Sequence, residues 1–236
     1  MRAGFSRRDI TPPEALIASG QVPLAGYGVT RAAAGVHDRL YARALALLSR
    51  DAPPENRAVV LLVLDVLFLD NVCMDAIYRG AAAFGLPPDR LLVNCIHTHS
   101  SFGGIFDNSR GVNRAMTALL GAASPALIEL LVSGALAAVK DAIGDAENAP
   151  EASLRAAWGE LEGLGTNRHD PDIESDRRVL ALELISGGRK ILLYQASCHP
   201  TVMNADNLRL SADVPGAAAA ELERNVDGVI VVNGAA

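Results

Sequence analysis

The chain has few cysteines and no run of basic residues, and these absences argue against several classes of protein. Its 236 residues include three cysteines and no Cys-x-x-Cys pair, which argues against a disulfide scaffold and predicts buried, reduced thiols. No basic run occurs and the net charge is −6, so a nucleic-acid-binding surface is not expected. Half of the residues are hydrophobic and 20% are charged, which is typical of a globular enzyme and not of a disordered chain.

Long hydrophobic runs are missing as well. The most apolar stretch, 58–64, is too short to cross a membrane, and Asp65 interrupts its continuation. The N-terminus has no hydrophobic signal core before Arg7 and Arg8. We therefore expect no transmembrane segment, no export signal and, for the chain as written, a cytoplasmic location.

Strand-like and helix-like segments alternate along the chain, which predicts one α/β domain with a mixed β-sheet core and flanking helices. Ser124 followed by Pro125 is typical of the start of a long helix. Trp158, the single tryptophan, lies in a predicted strand and is expected in the core. The predicted strands are 3–10, 41–48, 58–67, 91–96, 153–161, 179–184, 190–196 and 228–232, and the predicted helices are 70–84, 124–143 and 214–225.

Two histidines close an apolar strand. His97 and His99 follow the buried segment 91–96, and a glycine-containing loop comes next. In a strand, side chains at i and i+2 point to the same face, so both imidazoles should project together where the strand opens into a loop. This arrangement favours a divalent metal site, although two polar residues that merely end a strand would give the same pattern.

A second histidine stands in the same context. His199 follows the apolar strand 190–196, and Pro200 disfavours helix at the residue before it. The chain has only five histidines, so three at strand ends are explained most simply by one zinc site whose ligands are distant in sequence. Cys95 shares the predicted strand face of His97 and is a remote candidate for a further ligand, although it is expected to be a buried thiol.

Other polar residues have both a functional and a structural interpretation. Asp38 could orient a ligand histidine or fix the turn before a strand. Asp65 could support the metal site or act as a buried carboxylate that caps a neighbouring loop. His37 is expected to be structural, and Asp213 to cap the helix that begins near Pro215.

Several short segments occur in the order found in neutral/alkaline ceramidases, and the sequence resembles that family from about Gly4 onward. The segments are Asp9-Ile10-Thr11-Pro12, Gly26-Tyr27-Gly28, Gly35-Val36-His37-Asp38 with Leu40-Tyr41-Ala42-Arg43-Ala44, His97-Thr98-His99-Ser100, Asn167-Arg168, His199-Pro200-Thr201 with Ser211-Ala212-Asp213-Val214-Pro215-Gly216, and Val231-Val232-Asn233-Gly234-Ala235-Ala236. Each segment alone is common, and their shared order makes the resemblance specific.

The resemblance implies a zinc amidohydrolase of sphingolipid metabolism that cleaves ceramide, an N-acyl lipid, into sphingosine and a fatty acid. It implies that His97 and His199 are zinc ligands and that His99 binds or polarises the amide. It also implies that Arg168 contacts the reacting group, although an arginine in such a loop is usually a solvated charge or part of a local ion pair. A water whose pKa is lowered by zinc would attack the carbonyl carbon. Family members are often secreted or membrane-associated.

The sequence departs from the family pattern in two places. The family usually continues its His-Thr-His-Ser motif with Gly-Pro-Gly, whereas this chain has Ser101 and Phe102 before its two glycines. It also has His169-Asp170-Pro171 where relatives tend to have Ser-Pro after Asn-Arg. A differently shaped wall beside the metal leaves open a zinc hydrolase of the same scaffold that acts on another amide, ester or peptide.

The resemblance also predicts that residues 1–236 are the N-terminal portion of the catalytic domain. The family's active-site serine and its remaining zinc ligands, a glutamate and a tyrosine, come after the segment that matches residues 231–236. Because two histidines and a water make a weak zinc site, this part alone is expected to be poorly active. The remaining alternative is a non-catalytic fragment whose histidines are structural.

Overall fold

The computed structural model describes residues 1–28, 31–53, 56–106, 114–165, 170, 172–173 and 175–234. Among these residues the strands are β1 (Arg2–Asp9), β2 (Pro23–Leu24), β3 (Arg31–Ala32), β4 (Gly35–Val36), β5 (Tyr41–Leu48), β6 (Ala58–Leu64), β7 (Leu91–Cys95), β8 (Ala152–Glu160), β9 (Arg178–Ser186), β10 (Arg189–Ala196), β11 (Arg209–Leu210) and β12 (Gly228–Asn233). The helices are α1 (Glu14–Ala18), α2 (Asn71–Ala83), α3 (Arg114–Leu120), α4 (Pro125–Asn148) and α5 (Asp213–Leu222).

Two four-stranded sheets form the centre of the fold. The first has the order β1-β5-β6-β7, with antiparallel pairs except for the parallel pair β6–β7. The second has the order β12-β10-β9-β8, with β10 and β12 parallel and the other pairs antiparallel. The predicted mixed β-sheet core with flanking helices is therefore confirmed.

Helix α4 covers one face of the first sheet. Its buried residues recur every three or four positions, so that one stripe of the helix faces β1 and β5. Gly4 lies directly beneath this helix, and a Cβ atom there would come 2.2 Å from the backbone nitrogen of Ala146. The helix and sheet approach each other this closely because Gly4 has no side chain.

The second sheet packs over the first through β12, which contacts β5, β6 and β7. Ile191 and Ile230 belong to the main hydrophobic core, whereas Val229 and Val231, on the alternate face of β12, pack with Ala219 of α5. The four layers are therefore α4, first sheet, second sheet and α5. None of the helices in the described ranges is long and apolar enough to cross a membrane.

Most element boundaries lie within two or three residues of the predicted ones, and β5 coincides with its prediction. Trp158 is an exception: its side chain is 84% exposed, so the prediction that it packs in the core is wrong. It lies on β8, the edge strand of the second sheet, and Leu154 on the same strand face is also exposed. A strand pattern predicts which residues share a face but not whether another layer covers it.

Asp65, for which two interpretations were open, forms a buried ion pair with Arg43. The Arg43 Nη1 atom donates to both Asp65 carboxylate oxygens at 2.7 and 2.6 Å, and the Tyr41 backbone N–H donates to Oδ2 at 2.9 Å. Both side chains are at most 5% exposed. Asp65 therefore stabilises the pairing of β5 with the end of β6.

Candidate metal centre

Three of the five histidines meet where strands of the two sheets end. His97 follows β7 of the first sheet and His199 follows β10 of the second. One nitrogen from each of His97, His99 and His199 lies within 4.8 Å of the other two. The structure thus brings together the two predicted zinc ligands and the predicted active-site histidine, across about 100 positions of sequence.

The backbone reaches this arrangement differently from the predicted strand alternation. Strand β7 ends at Cys95, and His97 adopts a left-handed conformation with a φ of 66°. Such a φ is uncommon for a residue with a side chain. His97 and His99 therefore converge because the chain turns sharply at His97, and not because they occupy one face of a strand.

Backbone carbonyls hold two of the rings. Nδ1 of His97 lies 3.0 Å from the Leu67 carbonyl oxygen, and Nδ1 of His99 lies 2.9 Å from the Gly26 carbonyl oxygen. A carbonyl oxygen only accepts, so each Nδ1 carries a hydrogen and Nε2 is the atom of each ring that is left to bind a metal. Metal-binding histidines commonly have this second contact, which fixes the tautomer and the ring orientation.

The rings of His99 and His199 are in direct contact. Their Nε2 atoms are 2.7 Å apart. The centroid of the His97 ring lies 5.2 Å from each of the other two centroids. Three imidazoles at this spacing suit Zn²⁺, which takes histidine nitrogens at about 2.0–2.1 Å in a tetrahedral arrangement.

Burial favours the neutral form of His99. Desolvation is the main cause that lowers the pKa of His99, and the neighbouring His199 and His97 lower it further, while the hydrogen bond with Gly26 opposes the shift. The centroid of the Tyr27 ring lies 5.1 Å from that of His99 with the two planes tilted by 49°, and burial raises the pKa of the Tyr27 phenol. Near neutral pH, His99 therefore offers an unprotonated Nε2 to the cluster.

Hydrogen bonds join the segment of His97 and His99 to the chain before α5. The Thr98 hydroxyl donates to the Ser211 carbonyl at 2.8 Å, and the Ser211 backbone N–H donates to the Ser100 carbonyl at 2.9 Å. Asp38 accepts from the Ser211 hydroxyl at 2.5 Å and from the Ala212 N–H at 2.7 Å. These bonds of Asp38 fix residues 211–212 before α5, and neither of them goes to a histidine of the cluster.

Asp213 and His37 have structural contacts. Asp213, the first residue of α5, has a φ of 53°, and its carboxylate accepts from the Met203 and Val214 N–H groups at 2.9 and 2.7 Å. The bond to Met203 fastens the loop that follows His199 to the start of the helix. His37 is half-exposed and contacts Asp38 through Nδ1 at 2.7 Å.

The residues that replace the family's Gly-Pro lie in the interior. Phe102 is fully buried in the main core, and its backbone forms an isolated antiparallel β-bridge with Leu24. The Ser101 hydroxyl is also buried and accepts from the Leu67 N–H at 3.1 Å. The Ser101 hydroxyl thus holds the same Leu67 backbone whose carbonyl oxygen contacts His97.

Two other candidates were predicted from the sequence. Arg168 lies outside the described residues. Cys95 is not among the residues that group with the three histidines, and burial raises the pKa of its thiol to about 12. Sequence reasoning assigned no role to Gly26, although the Gly26-Tyr27-Gly28 segment carries the carbonyl that orients His99.

Comparison with known proteins relates the sequence to one family and the fold to solved structures. The sequence model described as "Neutral/alkaline non-lysosomal ceramidase, N-terminal" matches residues 1–235. The fold is similar to neutral ceramidase from Pseudomonas aeruginosa, with a TM-score of 0.78 and 20% identity over 99% of this chain and 38% of that one. It is also similar to a ceramidase complexed with C2, with a TM-score of 0.77 and 20% identity over 98% of this chain and 37% of that one. No curated protein matches the sequence. The chain thus spans about two-fifths of the length of these solved proteins, and their likeness at 20% identity establishes the fold.

Proposed function

The chain belongs to the neutral/alkaline non-lysosomal ceramidase family, and from this premise we propose that its histidine cluster is the zinc site of an amidohydrolase that cleaves the N-acyl amide of ceramide. The observation that carries the proposal is the convergence of His97, His99 and His199 within 4.8 Å, with two of the rings held by backbone carbonyls. His97 and His199 are assigned as zinc ligands. Zinc at this position supplies a Lewis acid and lowers the pKa of water.

His99 is assigned to proton transfer at the amide. Its Nδ1–H is held by the Gly26 carbonyl, and burial keeps the ring neutral, so Nε2 accepts a proton from the attacking water. The resulting imidazolium then donates from Nε2 to the developing charge or to the leaving nitrogen. Arg168 stays a predicted contact of the reacting group.

The apolar part of a cavity beside the loop that follows His199 supports a lipid-like substrate, and charged side chains that include Arg7, Arg39 and Glu223 line the rest of it. A cavity of about 480 Å³ lies next to the loop that follows His199, and its apolar lining includes Val202, Met203 and Val214. Ala217 and Ala220 of α5 also line this cavity. Small side chains there leave room for a hydrocarbon chain of the substrate.

The test is hydrolysis of a fluorescent N-acyl sphingosine by the longest form of the protein that its gene encodes. Activity is expected with zinc, lost after chelation and restored by Zn²⁺. An Ala217→Trp variant, which fills the cavity, should lower turnover of long-chain substrates more than that of short-chain ones. Turnover that survives complete removal of metal would refute the zinc site. A preference for esters or peptides over N-acyl lipids would refute the proposal that ceramide is the substrate, but it would leave the proposed zinc site standing.

A further inference from the structure

One buried side chain connects the two histidine-bearing segments. The Asn233 Nδ2 group donates to the Ile96 carbonyl at 3.0 Å and to the Cys198 carbonyl at 2.8 Å. Its Oδ1 atom accepts from the Cys198 N–H at 3.1 Å. Ile96 directly precedes His97 and Cys198 directly precedes His199, so we propose that Asn233 is a positioning residue that sets the spacing of these two histidines. This inference rests on the proposed zinc site.

The chemistry of these contacts requires a primary amide. An asparagine side chain offers two N–H donors and one carbonyl acceptor, and all three are used here. An aspartate would place a carboxylate against two carbonyl oxygens, and a leucine of similar shape would leave those backbone groups without their partner. Asn233 is only 8% exposed, so water cannot readily replace the lost bonds.

The main chain of Asn233 is fixed independently of its side chain. Asn233 pairs with Ala196 at the end of the parallel β10–β12 ladder, and the next N–H, that of Gly234, donates to the Ala196 carbonyl at 2.9 Å. The backbone therefore belongs to the second sheet, while the side chain reaches the Ile96 carbonyl beyond β7 of the first sheet. Asn233 thus joins the two sheets at the level of the histidine cluster.

This position gives Asn233 control over metal geometry without contact with the metal. His97 is carried by one sheet and His199 by the other, so any sliding between the sheets changes the distance between their rings. A functional site tolerates displacements of only about 0.5 Å before its geometry is lost. Replacing the Asn233 side chain should therefore make the distance between the His97 and His199 rings more variable, although all three histidines are retained.

The experiment compares metal binding by the wild-type protein with that of Asn233→Leu and the milder Asn233→Ser. Zn²⁺ affinity is measured by competition with a chromogenic chelator, and the coordination geometry is read from the visible spectrum of the Co²⁺-loaded proteins. Substitutions next to metal ligands typically weaken binding by about 10–100-fold, and a loss in this range is expected for Asn233→Leu. Its Co²⁺ bands should shift or weaken, with a smaller change for Asn233→Ser.

Val139→Ala is the control for general destabilisation, because Val139 is fully buried in α4 on the far face of the first sheet. It should lower thermal stability and leave Zn²⁺ affinity and the Co²⁺ spectrum unchanged. Wild-type affinity and spectrum in both Asn233 variants would overturn the proposal, and so would an equal loss in Val139→Ala. If Asn233→Leu does not fold, the spectrum and affinity of Asn233→Ser decide. A wild-type protein that binds no Zn²⁺ would instead refute the metal site itself, and the positioning role with it.

Discussion

Nε2 of His99 lies 2.7 Å from Nε2 of His199, although 100 positions separate the two residues. Two lone pairs at this distance repel unless a hydrogen or a cation lies between them. With Nδ1 of His99 already donating to the Gly26 carbonyl, the contact can be satisfied by an N–H of His199 or by a shared metal ion. A shared metal ion would make His99 a third ligand, and an N–H of His199 would leave His99 outside the coordination shell, so substitution of the three histidines separates the two cases.

We expect His97→Ala and His199→Ala each to abolish zinc retention and activity together, because each removes an assigned ligand. His99→Ala should keep most of the zinc and lower the rate of hydrolysis. Metal content of the purified variants, measured together with turnover, checks this. His37→Ala is the control for metal content, since His37 is bonded to Asp38 outside the cluster, and it should leave the zinc content unchanged. Loss of zinc in His99→Ala with retention in His97→Ala would reverse the two roles.

A second prediction concerns the contact between Gly26 and His99. Gly26 has a φ of 114°, and a Cβ atom there would come 2.7 Å from Nδ1 of His99. Gly26→Ala should therefore displace the His99 ring and lower turnover as much as His99→Ala does. Gly28→Ala is the control, because Gly28 also has a positive φ, of 58°, but has open space around it. It should cost about 1–2 kcal/mol of stability from backbone strain alone. Equal activity in the two variants would show that this contact does not set the position of His99.

The Arg43–Asp65 pair should dominate the electrostatic contribution to stability. Arg43→Met leaves a buried carboxylate without its partner and is expected to lower the free energy of unfolding by about 3–5 kcal/mol. The exposed pair Arg50–Glu151 has 63% of each side chain exposed, so Arg50→Met should cost less than about 1 kcal/mol. Urea unfolding followed by circular dichroism measures both. Similar losses would mean that Asp65 is not held by Arg43 in solution.

Thiol labelling tests the packing of the cysteines. Burial raises the pKa values of Cys73 and Cys95 to about 12, and the Cys73 thiol donates to the Ile105 carbonyl at 3.2 Å. At pH 8 only about one in ten thousand of such thiols is ionised, and the thiolate is the species that reacts. Ellman's reagent should therefore modify both residues very slowly in the native protein and rapidly in urea. Rapid modification of either one without denaturant would contradict the described core.

The sequence predicted the fold better than the contacts of the site. The apolar pattern of 41–48 is a local signal and gave accurate boundaries, and the helix predicted over 70–84 is found at Asn71–Ala83. The convergence of His97 and His199 was predicted from strand ends and from the family resemblance. The left-handed turn at His97 has no such signal, because glycine would be the expected residue at that φ.

The roles of Gly26 and Asn233 depend on which strands and loops become neighbours. Their contacts with His99 and with the residues before His97 and His199 cross more than 30 positions of sequence in every case. Trp158 was misplaced for the same reason, since only the strand order shows that β8 is an edge strand. The hydrophobic pattern of the sequence predicts where a strand or helix ends and which residues share a face. The order of the strands in the sheets then determines which other residues those faces and ends contact.

The separation of the histidines on two sheets has a consequence for the order of folding. Contacts between distant parts of a chain form only after the loop-closure entropy between them has been overcome. Strand β10 pairs with β12, so the segment that carries His199 acquires its full set of neighbours only after β12 has been synthesised. A nascent chain that has folded only its first sheet presents His97 and His99 without their third partner. We therefore expect metal capture to follow the pairing of β10 with β12, so that it cannot nucleate the first sheet.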